Sequence, residues 1–293
     1  MNQTPIVVAF QGEPGAYSEQ AIHEHFGTDT ATKPCLTFGE LFDAVHDEVA
    51  THAMLPVENS LAGMIEPAYD LLIDHELRVQ AEVIVRVEHC LMAPAGTNLQ
   101  DIKRVMSHHQ GLAQCEDNIR RMGLVPMAHY DTAGAARDLA NNPQRGTAAI
   151  ASTLAANTYN LDILVRNFED NDFNFTRFFV LGKIDPPRQD PSKTSIIFTT
   201  RHVPGALFSV LGELANRQIN LTKIESRPRR SRPWHYRFFV DFEGHEDDED
   251  VRQAMLGILK LSSFLQVLGS YPMAKPIKPV RKKTQFERNG EEE

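Results

Sequence analysis

Ile6-Val7-Val8-Ala9-Phe10 runs directly into Gln11-Gly12-Glu13-Pro14-Gly15-Ala16-Tyr17-Ser18. Five apolar residues without a polar break read as a strand buried on both faces. Two glycines and a proline then turn the chain, and helical spacing follows over about 18–26. The same unit of strand, polar turn and helix recurs outward from here. A strand at 53–57 precedes a helix expected over about 61–72, and longer strands are expected over 79–87 and 90–93. A strand at 104–106 precedes a helix in which Leu112, Cys115, Ile119 and Met122 keep helical spacing. A helix over 132–139, a strand over 148–151 and a helix over 153–159 complete the series. Such alternation builds an α/β domain with largely parallel sheets.

Asp185-Pro186-Pro187-Arg188-Gln189-Asp190-Pro191-Ser192 breaks the pattern with three prolines and flanking charges, and reads as a linker. Beyond it the order is strand 194–200, helix 206–217, strand 221–226, strand 236–243, helix 248–261 and strand 265–271. That βαββαβ order is a ferredoxin-like sandwich. The residues from 275 to 293 carry prolines, a basic cluster and a terminal acidic run, and are expected to be disordered.

Composition narrows the function. The 293 residues suffice for two domains, and the formal charge of −9 gives nucleic-acid binding no general support. No run approaches the ~18 apolar residues of a membrane span. The residues before Ile6 lack the parts of a signal peptide. Three widely spaced cysteines (Cys35, Cys90, Cys115) point to reduced thiols in a cytoplasmic protein, and no His/Cys spacing fits a metal cage.

Ligands of open α/β sheets bind beyond the carboxyl ends of the strands. Four strand-to-helix turns there are polar: 10–18, 55–63, 107–114 and 151–153. Ser60 and Ser107 are placed to cap the helices expected after them. The segment Asn174-Phe175-Thr176-Arg177-Phe178-Phe179-Val180-Leu181 adds a hydroxyl and a guanidinium at the mouth of an apolar strand. A buried cation needs an anion. A bound carboxylate gripped by the planar fork is one partner, and an acid of the protein itself is the other.

Taken in order, these motifs resemble the prephenate dehydratases and the related arogenate dehydratases over about 7–271. The carriers are the 11–19 turn, Pro56-Val57-Glu58-Asn59-Ser60 with Gly63, Ser107 to Cys115, Asp131-Thr132-Ala133, Ala148 to Ser152 and Asn174 to Leu181. Glu225-Ser226-Arg227-Pro228, following Pro204-Gly205-Ala206-Leu207, resembles the phenylalanine-sensing ACT domain of those enzymes.

The resemblance implies a periplasmic-binding-protein-like catalytic domain over 1–184. One lobe would span about 1–82 plus 170–184 and the other about 83–169, with a linker at 185–193 and an ACT domain at 194–274. It implies conversion of prephenate to phenylpyruvate, water and carbon dioxide without a cofactor or metal. The alternatives are arogenate converted directly to phenylalanine, or an amino-acid sensor without chemistry. Thr176 takes the catalytic position, with Glu58 as a further proton source. Arg177, Asn59, Ser60, Ser107, Gln114 and Phe178 take substrate-binding positions. L-phenylalanine would be held by Gly205, Ala206, Leu207, Asn220, Leu221 and Glu225 to Pro228 where two ACT domains meet in a homodimer or homotetramer. Length excludes a fused mutase helix ahead of Ile6. His109 stands where the family usually has proline, and Gly111 where a small apolar residue is common.

Overall fold

The fold is that of a computed structural model, which describes residues 5–229 and 232–274. The expected disorder of 275–293 lies outside the described residues.

The first lobe is built from β1 (Val7–Gln11), α1 (Tyr17–Phe26), β2 (Ala31–Cys35), α2 (Phe38–His46), β3 (His52–Asn59), β4 (Gly63–Met64), α3 (Glu66–Asp74) and β5 (Arg78–Arg86). The chain then forms the second lobe from β6 (Cys90–Ala93), β7 (Arg104–His108), α4 (His109–Ala113), α5 (Glu116–Arg121), β8 (Val125–His129), α6 (Thr132–Asn141), β9 (Thr147–Ala151), α7 (Thr153–Thr158) and β10 (Asp162–Val165). It returns to the first sheet as β11 (Phe175–Gly182). The strand orders are β2-β1-β3-β11-β5 and β10-β6-β9-β7-β8. In both sheets three parallel strands are followed by one reversed strand, β11 or β6, with a last strand paired antiparallel to it. β5 keeps pairing to Arg86, so the outward crossing falls at 87–89, a few residues beyond the expected 82. The two crossings run side by side, with Val87 N–H donating to the Asn174 carbonyl and Phe168 N–H to that of His89.

Two expectations change. The segment from Leu61 is a turn and a short return strand, and α3 starts only at Glu66, with Pro67 in its first turn. The helix expected through Leu112–Met122 is two short helices broken at Gln114–Cys115.

The C-terminal domain holds β12 (Ser192–Thr200), α8 (Ala206–Ala215), β13 (Leu221–Arg229), β14 (Arg232–Glu243), α9 (Glu249–Leu261) and β15 (Ser262–Pro272). Its order β13-β14-β12-β15 is ferredoxin-like. One face of this sheet packs Ile196, Phe198, Val240 and Phe242 against α8 and α9. The other sends Ile197, Phe239, Leu268 and Tyr271 into the first lobe, against Leu55, Val57, Tyr69 and Phe179. At Gly269 (φ +157°) a Cβ would stand 2.4 Å from the Val79 carbonyl oxygen, so β15 can lie this close to β5 only without a side chain there.

Candidate active site

Strand alternation decides which residues reach the cleft between the lobes. On β11, Phe178 and Val180 enter the core shared with the second lobe, whereas Phe179 and Leu181 enter the core shared with the C-terminal sheet. Thr176 shares the face of Phe178 and lines the cleft. Arg177 faces the other way, its guanidinium 4.8 Å from the Phe179 ring centroid. The neighbouring strand adds a bulge. Arg177 pairs with Glu58 but Phe178 with Pro56, so Val57 is the extra residue. Val57 and Glu58 therefore both turn toward the C-terminal domain, and Asn59 toward the cleft.

Asn59 and Thr176 form the polar centre. The Asn59 side-chain oxygen accepts the N–H groups of Leu61 (3.1 Å) and Ala62 (3.0 Å). This fixes the amide orientation. Its Nδ2 then donates to Asn174 Oδ1 (2.8 Å) and to Thr176 Oγ1 (3.1 Å). The threonine oxygen is thus an acceptor from Asn59, which leaves its own hydrogen available to a ligand in the cavity. Both residues are buried. The cavity measures about 220 Å³, room for one small molecule. Across it, Gln114 Oε1 lies 2.8 Å from His89 Nε2, and the Tyr17 hydroxyl lies 2.9 Å from His89 Nδ1 while donating to the Glu88 carbonyl. Burial holds the His89 pKa below its ordinary value, partly offset by the Gln114 contact. Burial also raises the Tyr17 hydroxyl well above its usual range. Gly111 completes this wall: a Cβ there would approach Ser107 Oγ to 2.9 Å and Thr132 Cγ2 to 3.2 Å.

The remaining sequence-based candidates lie elsewhere. Arg177 meets Glu82 (Nε to Oε2, 2.7 Å), Asp241 (Nη1 to Oδ2, 2.6 Å) and the Tyr271 hydroxyl (3.0 Å). Its anion belongs to the protein itself. Burial opposes the charge, but Asp241, Tyr271 and Glu82 outweigh it and hold the guanidinium more firmly protonated. Glu58 accepts from Lys223 Nζ of β13 at 2.7 Å and sits outside the cleft, which removes it as a proton source there. Phe178 is core. Ser107 is fully buried and donates to the Ile150 carbonyl; the residue capping α4 is His108. The Ser60 hydroxyl caps no helix. It donates to the Phe173 carbonyl and accepts from Phe175 N–H, tying its turn to the return strand. His109 is exposed and stacks on His108, with centroids 3.9 Å apart.

Sequence reasoning gave no role to His89, Gln11, Tyr130 and Asp131, which also line the cleft. Tyr130 and Arg137 of the second lobe both reach Glu13 of the first, at 2.7 and 2.6 Å. Ser152 caps α7 and donates to the Gly15 carbonyl. A Cβ on Gly15 would come within 2.6 Å of Ala155 Cα. The glycines and proline of the first turn thus let the lobes touch beside the cavity.

The residues expected to hold phenylalanine form three groups. Gly205, Ala206 and Leu207 border a cavity of about 320 Å³ with His202, Phe208 and Tyr236. Asn220 donates to Glu243 at another corner. Leu221 and Glu225 to Pro228 lie on β13 at the sheet edge, where Arg227 pairs with Glu66 of α3. One chain does not bring these groups together.

Fold and site define a protein with a polar cleft between two α/β lobes and a small ferredoxin-like sheet docked on the outer face of one of them. The prephenate dehydratase family model matches residues 8–186 and the ACT domain model residues 194–259, and the chain belongs to the prephenate dehydratase family. It is 44% identical to arogenate dehydratase/prephenate dehydratase 2, chloroplastic, of Arabidopsis thaliana, over 93% of this chain and 74% of that protein. It superposes on prephenate dehydratase from Arthrobacter aurescens in complex with L-Phe at a TM-score of 0.84, with 29% identity, covering 98% of this chain and 97% of that one. A protein described as GqqA, a novel type of quorum quenching acylase, matches with the same TM-score of 0.84 and 36% identity over 92% of this chain and 98% of that one. No helix among the described residues is long and apolar enough to cross a membrane.

Proposed function

We propose that the chain catalyses the decarboxylative dehydration of a prephenate-class substrate. That reaction needs little from the protein. The C1–carboxylate bond breaks, its electron pair enters the ring, the ring becomes aromatic and the C4 oxygen leaves as water once protonated. The single observation that carries the reading is the Asn59–Thr176 pair. An amide donating to the threonine oxygen polarises the hydroxyl, and a polarised hydroxyl lining the cavity is suited to donate to a departing oxygen. Gln11 and Gln114, whose amides line the cleft, supply neutral donors for carboxylates. The acylase chemistry of one structural neighbour would want a base beside the hydroxyl, and the partner of Thr176 is an amide.

We further propose that the ACT domain binds L-phenylalanine, a reading supported by the complex with L-Phe described for the Arthrobacter aurescens relative. We place it where the Gly205 loop of one copy meets the Glu225–Pro228 edge of another, in a homodimer or homotetramer. The plant relatives are named chloroplastic. For this chain we keep a reducing compartment, the cytoplasm, on the strength of three separately buried thiols. The deciding experiment measures product formed from prephenate and from arogenate, each with and without phenylalanine. Aromatic product from either supports the reading, and product from neither refutes it.

A further inference from the structure

Asp131 is the only residue lining the cleft with a fixed charge. No lysine or arginine lines it, and among the described residues none pairs with Asp131. The two histidines of the lining, His89 and His108, are both held below their ordinary pKa by burial, so neither offers Asp131 a ready counter-charge. Asp131 caps α6 through Oδ1, which accepts Gly134 N–H at 2.7 Å. Its Oδ2 lies 3.4 Å from where a Cβ on Gly12 would stand, at the lobe boundary. Arg137 of α6 is already engaged by Glu13 and Asp138. Burial raises the Asp131 pKa and Glu13 adds to it, while the Gly134 and Ala133 amides and His129 offset only part of the rise. A cation at Oδ2 would relieve this environment.

Prephenate and arogenate share the ring, its hydroxyl and the ring carboxylate. They differ at the side chain, where prephenate carries a keto group and arogenate an ammonium. Prephenate is a dianion, and arogenate brings its own cation. A site with one carboxylate and no cation repels the first and can pair with the second. Resting on the dehydratase reading, we infer that Asp131 accepts the α-ammonium group of the substrate and that this makes arogenate the preferred substrate.

The test is kcat/KM for both substrates with the wild-type protein, Asp131→Asn and Asp131→Ser. Asparagine and serine both cap helices, so α6 keeps its start in each variant. The wild type is expected to favour arogenate. Both variants are expected to lower the arogenate-to-prephenate ratio by ~30-fold or more, mostly through the KM for arogenate, as loss of a desolvated charge pair implies. A wild type that favours prephenate overturns the inference. So does a variant whose two activities fall together, since a structural role alone would do that. If the wild type turns over neither substrate, the dehydratase reading has failed and this inference with it, and that outcome is visible before any substitution is made.

Discussion

Replacing Arg177 with methionine separates two roles for this arginine. The guanidinium is 11% exposed and lies between Glu82, 1% exposed, and Asp241, 6% exposed. Methionine fills the space of the stem but leaves those acids without it. Glu82 keeps Lys193 (2.8 Å) and the Ala274 N–H (2.9 Å). Asp241 keeps only the Ser195 hydroxyl among its side-chain partners (2.5 Å), so the stranded charge is chiefly Asp241. Removing one member of a buried pair costs about 3–5 kcal/mol, which for a chain of this size lowers the melting temperature by on the order of 10 °C. Circular dichroism melts and steady-state kinetics on the same preparation read both consequences. The expected result is a destabilised protein whose KM moves little. Adding Asp241→Asn to Arg177→Met should recover part of the loss, because the stranded charge is gone. A stable Arg177→Met protein with KM raised tenfold or more would refute the assignment and return Arg177 to the substrate.

Three further outcomes follow from the geometry. Thr176→Ala should lower kcat by ~10²-fold or more with an unchanged melt, and Thr176→Ser should restore most of it, since serine keeps the donor; equal losses for the two would mean the methyl matters and the hydroxyl does not. Lys223→Met removes the contact from β13 to Glu58 and should leave the uninhibited rate intact while weakening the response to phenylalanine by several-fold in concentration; an unaltered dose response would remove Lys223 from the coupling. His89 has a folded-state pKa below its ordinary value of 6.5, so below that pH the unfolded chain takes up a proton that the folded one does not. Stability should therefore fall as pH drops below about 6.5, and His89→Gln should flatten that part of the curve; a curve identical to wild type would mean His89 titrates normally.

Much of the architecture was legible because it rests on local pattern. The first strand, its Gly-Pro turn, the proline-rich linker and all six elements of the ACT domain follow from apolar periodicity and turn chemistry. β2 escaped because Lys33 and Pro34 sit in an exposed edge strand with no apolar run. The helix α2 left a usable signal: Thr37 caps it by accepting Glu40 N–H, and Glu40 reaches back to Leu36 N–H, close to a capping box. The site was harder. Thr176, Asn59 and Gln114 reach the cleft, but the neighbours Arg177 and Glu58 do not, because strand alternation and a bulge send adjacent residues to opposite faces. The alternation was predictable from the strand itself. The bulge depends on how β11 registers against β3, a contact across more than a hundred residues that no local pattern encodes. His89 and Asp131 come from separate lobe-two segments, and only folding places them beside Thr176.

The same alternation explains how a regulatory sheet can reach a cleft it never touches. Glu58 and Arg177 face the ACT domain, and their chain neighbours Asn59 and Thr176 face the cleft. The ACT contacts differ in strength. The Arg177 cluster is buried and worth several kcal/mol, so it stays closed when the domain shifts. Glu58 is 36% exposed at its pair with Lys223, itself 10% exposed, and lies at a longer 3.7 Å from Arg177; Glu66 is 63% exposed at its pair with Arg227, itself 23% exposed. Pairs with one solvent-exposed member are screened and contribute less than the buried Arg177 cluster, on the order of 1 kcal/mol. Both weak pairs lie on β13, the edge strand on which a phenylalanine-binding segment is expected. Ligand capture there, with a coupling of ~1–3 kcal/mol, is enough to break them but not the Arg177 cluster. The ACT sheet would then pivot about Arg177 and release Glu58. Release frees the bulge that aims Asn59, and with it the amide that polarises Thr176. Feedback would then act on kcat through Asn59 more than on substrate affinity, a distinction that inhibition kinetics read directly.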